Sequence, residues 1–251
     1  MDVVVIGTGT AVPSVRRSSP CVLVHVGQTC IVCDTGPGAL RQLCKAGVSI
    51  SSIDYLVYSH LHIDHTADFA PFLFSSNYDP ANPRTRDITV IGPTGFQTFY
   101  EKLCAVYGTW IIPHRFSLLI HDINSKPFQG VDCVIKVAPV KHTDTSIAVR
   151  IEDNGGGSVV YSGDTDYCTT LVNLATGAKL LILESSFPEH MKRTGHLTPS
   201  LAGRIAREAQ CQRLMLTHFY PACDAADILT PLRKEYSGEV VIAEDFSSVR
   251  L

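Results

Sequence analysis

Short apolar runs of strand length alternate along this chain with stretches whose apolar residues recur every three or four positions. That rhythm marks strands alternating with amphipathic helices. Residues 2–6, 21–26 and 29–33 read as opening strands. Residues 38–46 predict a short helix with Leu40, Leu43 and Cys44 inward and Gly47 as its stop. A buried strand is expected at 53–58, and a helix at 67–75 carrying Phe69, Phe72 and Leu73. After a loop at 79–83, residues 94–107 predict a helix with Phe99, Leu103 and Val106 inward, ended by Gly108.

The second half repeats the scheme. Strands are expected around 132–138, 146–151 and 158–161, with Asn154-Gly155-Gly156-Gly157 as a tight hairpin turn. Further strands follow at 180–183 and 213–217. Between them Thr198 reads as an N-cap and Pro199 as the first residue of a helix whose stripe is Leu201, Ile205 and Ala209. Two βα-rich halves of similar size predict an α/β (α+β) architecture, a four-layer αββα sandwich. No linker, charge block or low-complexity segment divides the chain, so a single domain over residues 1–251 is expected.

Composition narrows the field. A chain of 251 residues is long enough for one large core without covalent staples. A net charge of −3 gives no support for a general nucleic-acid surface, and a large nucleic-acid partner is not expected. No apolar run approaches ~18 residues, so no membrane span is expected. No basic-then-apolar leader opens the sequence, and nine scattered cysteines read as reduced thiols of a cytoplasmic protein. Cys30 and Cys33 form a Cys-x-x-Cys inside an apolar run; in a strand they face opposite sides, which makes them packing residues rather than a zinc site.

The chemistry concentrates in Ser59-His60-Leu61-His62-Ile63-Asp64-His65, directly after the strand predicted at 53–58. His60 and His62 project to the same side of extended backbone, and Asp64 and His65 follow where the chain turns into a helix. Imidazole and carboxylate suit zinc, and also manganese or iron(II). Three further donors, His142, Asp164 and His218, each follow an apolar run, where sheets flanked by helices build their sites. Seven donors suffice for two divalent ions. One set is His60, His62 and His142, the other Asp64, His65 and His218, with Asp164 bridging.

The ordered set resembles the metallo-β-lactamase-fold hydrolases, and within them the ribonuclease Z-like branch. Gly7-Thr8-Gly9-Thr10-Ala11-Val12-Pro13 followed by Arg17-Ser18-Ser19 resembles that branch's N-terminal loop. Asp34-Thr35-Gly36-Pro37-Gly38 resembles its Asp-Cys-Gly-Glu-Gly turn, with Ala39-Leu40-Arg41-Gln42-Leu43 as the following helix. Gly195-His196-Leu197-Thr198 resembles its His-Ser-Thr motif, and Leu216-Thr217-His218-Phe219 its last ligand motif. The matches run from residue 6 to residue 219. The resemblance implies the αββα fold and a hydrolase acting on a small phosphodiester through a hydroxide shared by two metal ions. It also implies that His196 contacts the scissile phosphate and assists the leaving group. Asp64 is expected to bind one ion and orient the attacking water, and Asp164, as the bridge, to be the most damaging single loss. Relatives are often homodimers, but no segment marks an interface.

Two departures separate the chain from tRNA 3′-processing enzymes of that branch. Those carry a long arm for gripping tRNA between the ligands matching His142 and Asp164, which here lie only 22 positions apart. After His218 the chain reads Phe219-Tyr220-Pro221-Ala222 in place of Ser-x-Arg-Tyr, which removes an arginine. A small phosphodiesterase fits better than ribonuclease Z activity on tRNA. Hydrolysis of an aryl sulfate, lactone or thioester on the same metals is the alternative, and a non-catalytic binding protein the third. Some roles stay open at this level. Glu184 either orients a neighbouring histidine or ends its strand in water. Asp34 either supports the ligand loop or caps its own turn. Gly7, Gly9 and Gly36 either let backbone approach the metal loop or serve turns. Arg16 and Arg17 either bind a substrate anion or are solvated, and Tyr220 either lines the mouth or packs. His25, His114, His121 and His190 are expected to be structural or solvent-facing.

Overall fold

The computed structural model describes residues 1–122 and 126–251. Alternating apolar side chains fold into strands β1 (Asp2–Gly7), β2 (Cys21–Val26), β3 (Thr29–Cys33), β4 (Tyr55–Val57), β5 (Ile88–Gly92) and β6 (Leu118–Asp122). The second half supplies β7 (Phe128–Gln129), β8 (Cys133–Pro139), β9 (Ile147–Asp153), β10 (Ser158–Tyr161), β11 (Leu180–Glu184), β12 (Arg213–Thr217), β13 (Glu239–Ile242) and β14 (Ser247–Arg250). Among the described residues these form two seven-stranded sheets, ordered β14-β1-β2-β3-β4-β5-β6 and β13-β12-β11-β10-β9-β8-β7. In each sheet four antiparallel strands give way to parallel ones: β3 to β6 in the first, β10 to β13 in the second.

The central strands are buried on both faces. Along β2 and β3, Val22, Val24, Ile31 and Cys33 face the second sheet and meet Val149, Val159, Tyr161 and Ile182. Their neighbours Leu23, Cys30 and Val32 face outward onto α1 (Ala39–Lys45), α3 (Phe69–Tyr78) and α4 (Phe96–Tyr107). Across the molecule Leu181, Leu183, Leu214 and Leu216 point the other way, onto α5 (Thr169–Ala175), α6 (Pro199–Ala209) and α7 (Leu229–Arg233). The result is the expected αββα sandwich, and Cys30 and Cys33 lie in different cores as the strand period requires. Parallel β3–β4 and β10–β12 carry the segments after them to one edge, and the short helix α2 (Ile63–Thr66) sits there.

Local differences have local causes. The strand expected at 53–58 is confined to Tyr55–Val57, although Tyr58 N still donates to Ile91 O of β5 at 2.8 Å before the chain enters the ligand loop. Cys44 and Val106 are exposed: α1 is only two turns long, and the end of α4 overhangs its sheet. Thr198 holds the N-cap position of α6, but its side chain makes no capping bond. Glu189, from the preceding turn, instead accepts from Ser200 N at 2.7 Å and Ser200 Oγ at 2.8 Å.

Ile182 is fully buried between the sheets. Ile182→Ala is expected to cost about 2–5 kcal/mol of stability, read as a lower urea midpoint with an unchanged slope.

Candidate metal centre

The site grows out of strand ends. After β4 the chain runs extended through His60 and His62, then turns into α2, which carries Asp64 and His65. His142 follows β8, Asp164 follows β10 and His218 follows β12. All seven residues predicted as ligands converge; His62 alone is exposed, His142 is half-buried, and the rest are buried. His60, His62, His142 and Asp164 can each offer one donor atom within 4.8 Å of the others, and so can Asp64, His65 and His218.

Asp164 divides these groups with its two oxygens. Oδ1 lies 3.2 Å from His65 Nε2 and 3.2 Å from His218 Nε2. Oδ2 lies 3.7 Å from His142 Nε2 and 3.9 Å from His60 Nε2. Asp64 Oδ2 closes the first set, 3.6 Å from His218 Nε2 and 3.7 Å from His65 Nε2. His62 Nδ1 closes the second, 3.0 Å from His142 Nε2. Nε2 of His60, His65 and His218 and Oδ1 of Asp164 are buried without an acceptable hydrogen bond. Orphaned polar atoms of this kind are costly and native proteins rarely leave them unpaired. Divalent cations would satisfy all four, so the donor set fits them.

His60, His65, His142 and His218 are each aimed by a bond on the far nitrogen. The fully buried Asp34 takes His65 Nδ1 at 2.7 Å and also accepts from Ser59 N, Ser59 Oγ and Tyr161 Oη, each at 2.8 Å. Ser59 Oγ lies 3.0 Å from His60 Nδ1, and Gly195 O takes His142 Nδ1 at 3.0 Å. Ser186 Oγ lies 2.9 Å from His218 Nδ1 and donates onward to Glu184 Oε2. A carboxylate or carbonyl on one ring nitrogen fixes the tautomer and leaves the other nitrogen's lone pair for a metal.

Glu184 is fully buried rather than in water. Beyond Ser186 Oγ it accepts from the backbone of Thr165, Ser186 and Leu197, and from His196 Nδ1 at 3.0 Å. The segment bearing His196 is held on both sides of the peptide at Gly195: Asp166 accepts from Gly195 N, while Gly195 O takes His142 Nδ1. His196, Asp164 and His218 also offer donors within 4.8 Å of one another, but Nδ1 of His196 is engaged by Glu184.

Charges follow the geometry. Burial, the neighbouring His65 charge and other nearby imidazoles depress His60, with Asp164 opposing, and burial also depresses His142; both are held neutral, as ligation needs. Burial opposes protonation of His65 too, yet the charges of Asp164 and Asp34 raise it well above the ordinary imidazole range. Asp164 is stabilised as an anion: burial works against its charge, but His218 and His65 hold it well below the usual carboxylate range.

Backbone shape shares the cost. Asp34 and His218 both sit at φ 57, a left-handed conformation that non-glycine residues pay for by about 1–3 kcal/mol. Gly36 admits the ligand segment, since a Cβ there would lie 2.0 Å from Asp64 O. Gly7 and Gly9 instead make room for the backbone of 17–19, not for the metal loop.

The arginines near the mouth resolve as well. Arg17 is buried and donates to Asp224, Thr8 Oγ1 and Ala243 O, while Arg16 is exposed and paired with Glu244 and Asp224. Ser59, Tyr161 and Ser186 escaped the sequence reading. Only adjacency to His60 and Glu184 marked the serines, and nothing local marked Tyr161.

A family model described as a β-lactamase superfamily domain matches residues 29–219. The chain belongs to the metallo-β-lactamase superfamily. A ribonuclease Z of Mycolicibacterium gilvum is 31% identical over 246 residues, covering 88% of this chain and 85% of that protein. This places the chain in the ribonuclease Z-like branch and makes it a metal-dependent hydrolase. The crystal structure of the metallo-β-lactamase-fold protein YhfI from Bacillus subtilis superposes with a TM-score of 0.86 at 26% identity, covering 99% of this chain and 98% of that one. The short form of human tRNase Z superposes with a TM-score of 0.81 at 24% identity, covering 100% and 99%. Within this superfamily member the segment between His142 and Asp164 holds only β9, a turn and β10, with no inserted arm.

Asp34→Asn keeps the shape and the left-handed preference but removes the charge that aims His65. It is expected to weaken zinc binding about 10- to 100-fold in calorimetric titration, with the circular dichroism spectrum preserved. Unaltered affinity would show that Asp34 does not orient the ligand.

Proposed function

We propose that this hydrolase is a dinuclear phosphodiesterase, a single domain whose Asp164 bridges two divalent ions. The supporting observation is the split of the Asp164 carboxylate: Oδ1 toward His65 and His218, Oδ2 toward His60 and His142. His60, His62 and His142 would hold one ion, and Asp64, His65 and His218 the other. Zinc suits this mixture of imidazole and carboxylate, with manganese and iron(II) also accepted. Two such ions supply an activated water near neutral pH and neutralise charge developing on phosphoryl oxygens.

The remaining roles fall to the chain itself. Asp64 lies beside His65 and His218, where it can orient the attacking water. His196 acts on the other side of the ester. With Nδ1 fixed on Glu184, its Nε2 is the nitrogen left to give a proton to the leaving oxygen. Burial disfavours the imidazolium, but the hydrogen bond and charge of Glu184 and the charge of Asp164 outweigh it and raise its pKa. A general acid needs that direction of shift.

The kinship to proteins named ribonuclease Z makes RNA the competing substrate class. The short β9-turn-β10 connection supports a small phosphodiester instead, because nothing between His142 and Asp164 extends to grip a large RNA.

Protein loaded with zinc or manganese is expected to hydrolyse bis(p-nitrophenyl) phosphate and to bind two ions by elemental analysis. Asp164→Ala is expected to lose this turnover and at least one ion. Activity on a lactone or thioester panel without phosphodiester turnover would replace the proposal. A single ion in the wild-type protein would sink the dinuclear part.

His196→Ala is expected to keep its metal while kcat falls about 10²–10⁴-fold. Because the acid form is lost as pH rises through its pKa, His196 sets the alkaline limb of the pH profile. Glu184→Gln removes the charge that raises that pKa, so the limb is expected to move to lower pH.

A further inference from the structure

Beside the metal centre two aromatic rings form a platform that the hydrolytic chemistry does not use. Phe187 and Tyr220 stack on each other with centroids 4.5 Å apart and planes within 19°. Both are half-buried, so the pair presents ring surface at the mouth rather than filling a core. Phe187 lies 5.6 Å from the His196 ring at 76°, and Tyr220 lies 6.3 Å from the His218 ring at 76°. The platform therefore stands almost perpendicular to the two histidines, within ring-contact distance of His196 and His218.

Its placement is fixed by the backbone. Each aromatic precedes a proline, Pro188 or Pro221, which confines it to extended conformations; Tyr220 sits at φ −68, ψ 155. Tyr220 N donates to Ser186 O at 3.3 Å, locking the two segments in register. The adjacent Phe219 is buried under the Arg17 guanidinium, 4.7 Å from its ring centre, which anchors the chain on the inner side and leaves Tyr220 at the mouth.

We propose that the Phe187–Tyr220 pair is a stacking platform for a nucleobase carried by the substrate. This rests on the phosphodiesterase reading and names the substrate class: a nucleotide ester rather than a plain alkyl phosphodiester. A flat, polarizable surface held rigidly beside the phosphate favours a planar ring over a flexible chain, because stacking on a fixed aromatic costs little conformational entropy. Hydrogen-bond readout is not needed for such a contact, so the platform would accept more than one base.

The test compares two competitive inhibitors of bis(p-nitrophenyl) phosphate hydrolysis by the metal-loaded protein, adenosine 5′-monophosphate and ribose 5-phosphate. Both present the same phosphomonoester and ribose to the site, so the ratio of their inhibition constants isolates the base. Wild type is expected to favour the nucleotide by about tenfold or more. Tyr220→Leu should lower that ratio about tenfold, and Tyr220→Phe, which keeps the ring, should retain it. A merely structural effect of Tyr220→Leu would weaken both inhibitors together and leave the ratio where it was, which overturns the platform. A wild-type ratio near one overturns it as well, with the phosphodiesterase reading intact. Absence of any metal-dependent turnover would defeat that reading and this inference with it.

Discussion

Two carboxylates buried to zero exposure, Asp34 and Glu184, govern how this site is built. A charge removed from water is tolerated only when its lone pairs are taken up by donors. Asp34 gathers four and Glu184 five, and among those donors are the groups that must be aimed: His65 directly, His60 through Ser59, His218 through Ser186, and His196 directly. Stabilising each carboxylate and orienting the imidazoles are thus one arrangement. Asp34 also ties the two sheets together, because Tyr161 reaches it from β10 of the opposite layer.

The same economy explains the backbone. Asp34 and His218 occupy left-handed conformations at strand ends, and Gly163 does so at φ 55 just before Asp164. A Cβ at Gly163 would meet Ser59 Cβ at 2.4 Å, so the two strand ends that carry Asp164 and His60 can approach only with glycine there. Local strain is held in place by packed sheets on either side, which is the usual condition for its survival. The cores supply that rigidity: residues from both sheets interlock between the layers, and each outer face is covered by its own helices.

The sheets were legible in outline because the period of two is strong where both faces are buried. β2, β3, β10, β11 and β12 lie where alternation or continuous apolar runs put them. Edge and short elements were not. β7 is two residues long, and β14 owes its place to pairing with β1 across almost the whole chain, a contact no local window contains. Helix faces were read correctly where a helix packs along its length, as with Phe69, Phe72 and Leu73. They were misread where it runs past the core, as at Val106. Arg17 shows the converse: a charge that reads as a surface cation is buried because Asp224, Thr8 and a carbonyl of residue 243 converge on it.

Residue type and order along the chain determined the donor set, since four of the seven donors lie in one six-residue stretch and the others follow strands. The family, the αββα class and the absence of an inserted arm came from the same source. Tertiary structure alone decided which oxygen of Asp164 faces which histidines, that Ser186 and Tyr161 hold them, and that Glu184 lies buried behind His196. It also brought Phe187 and Tyr220 face to face. The physical reason is range. Donor identity and local periodicity are properties of neighbouring residues, whereas hydrogen-bond satisfaction of a buried charge depends on groups that meet only when both sheets close.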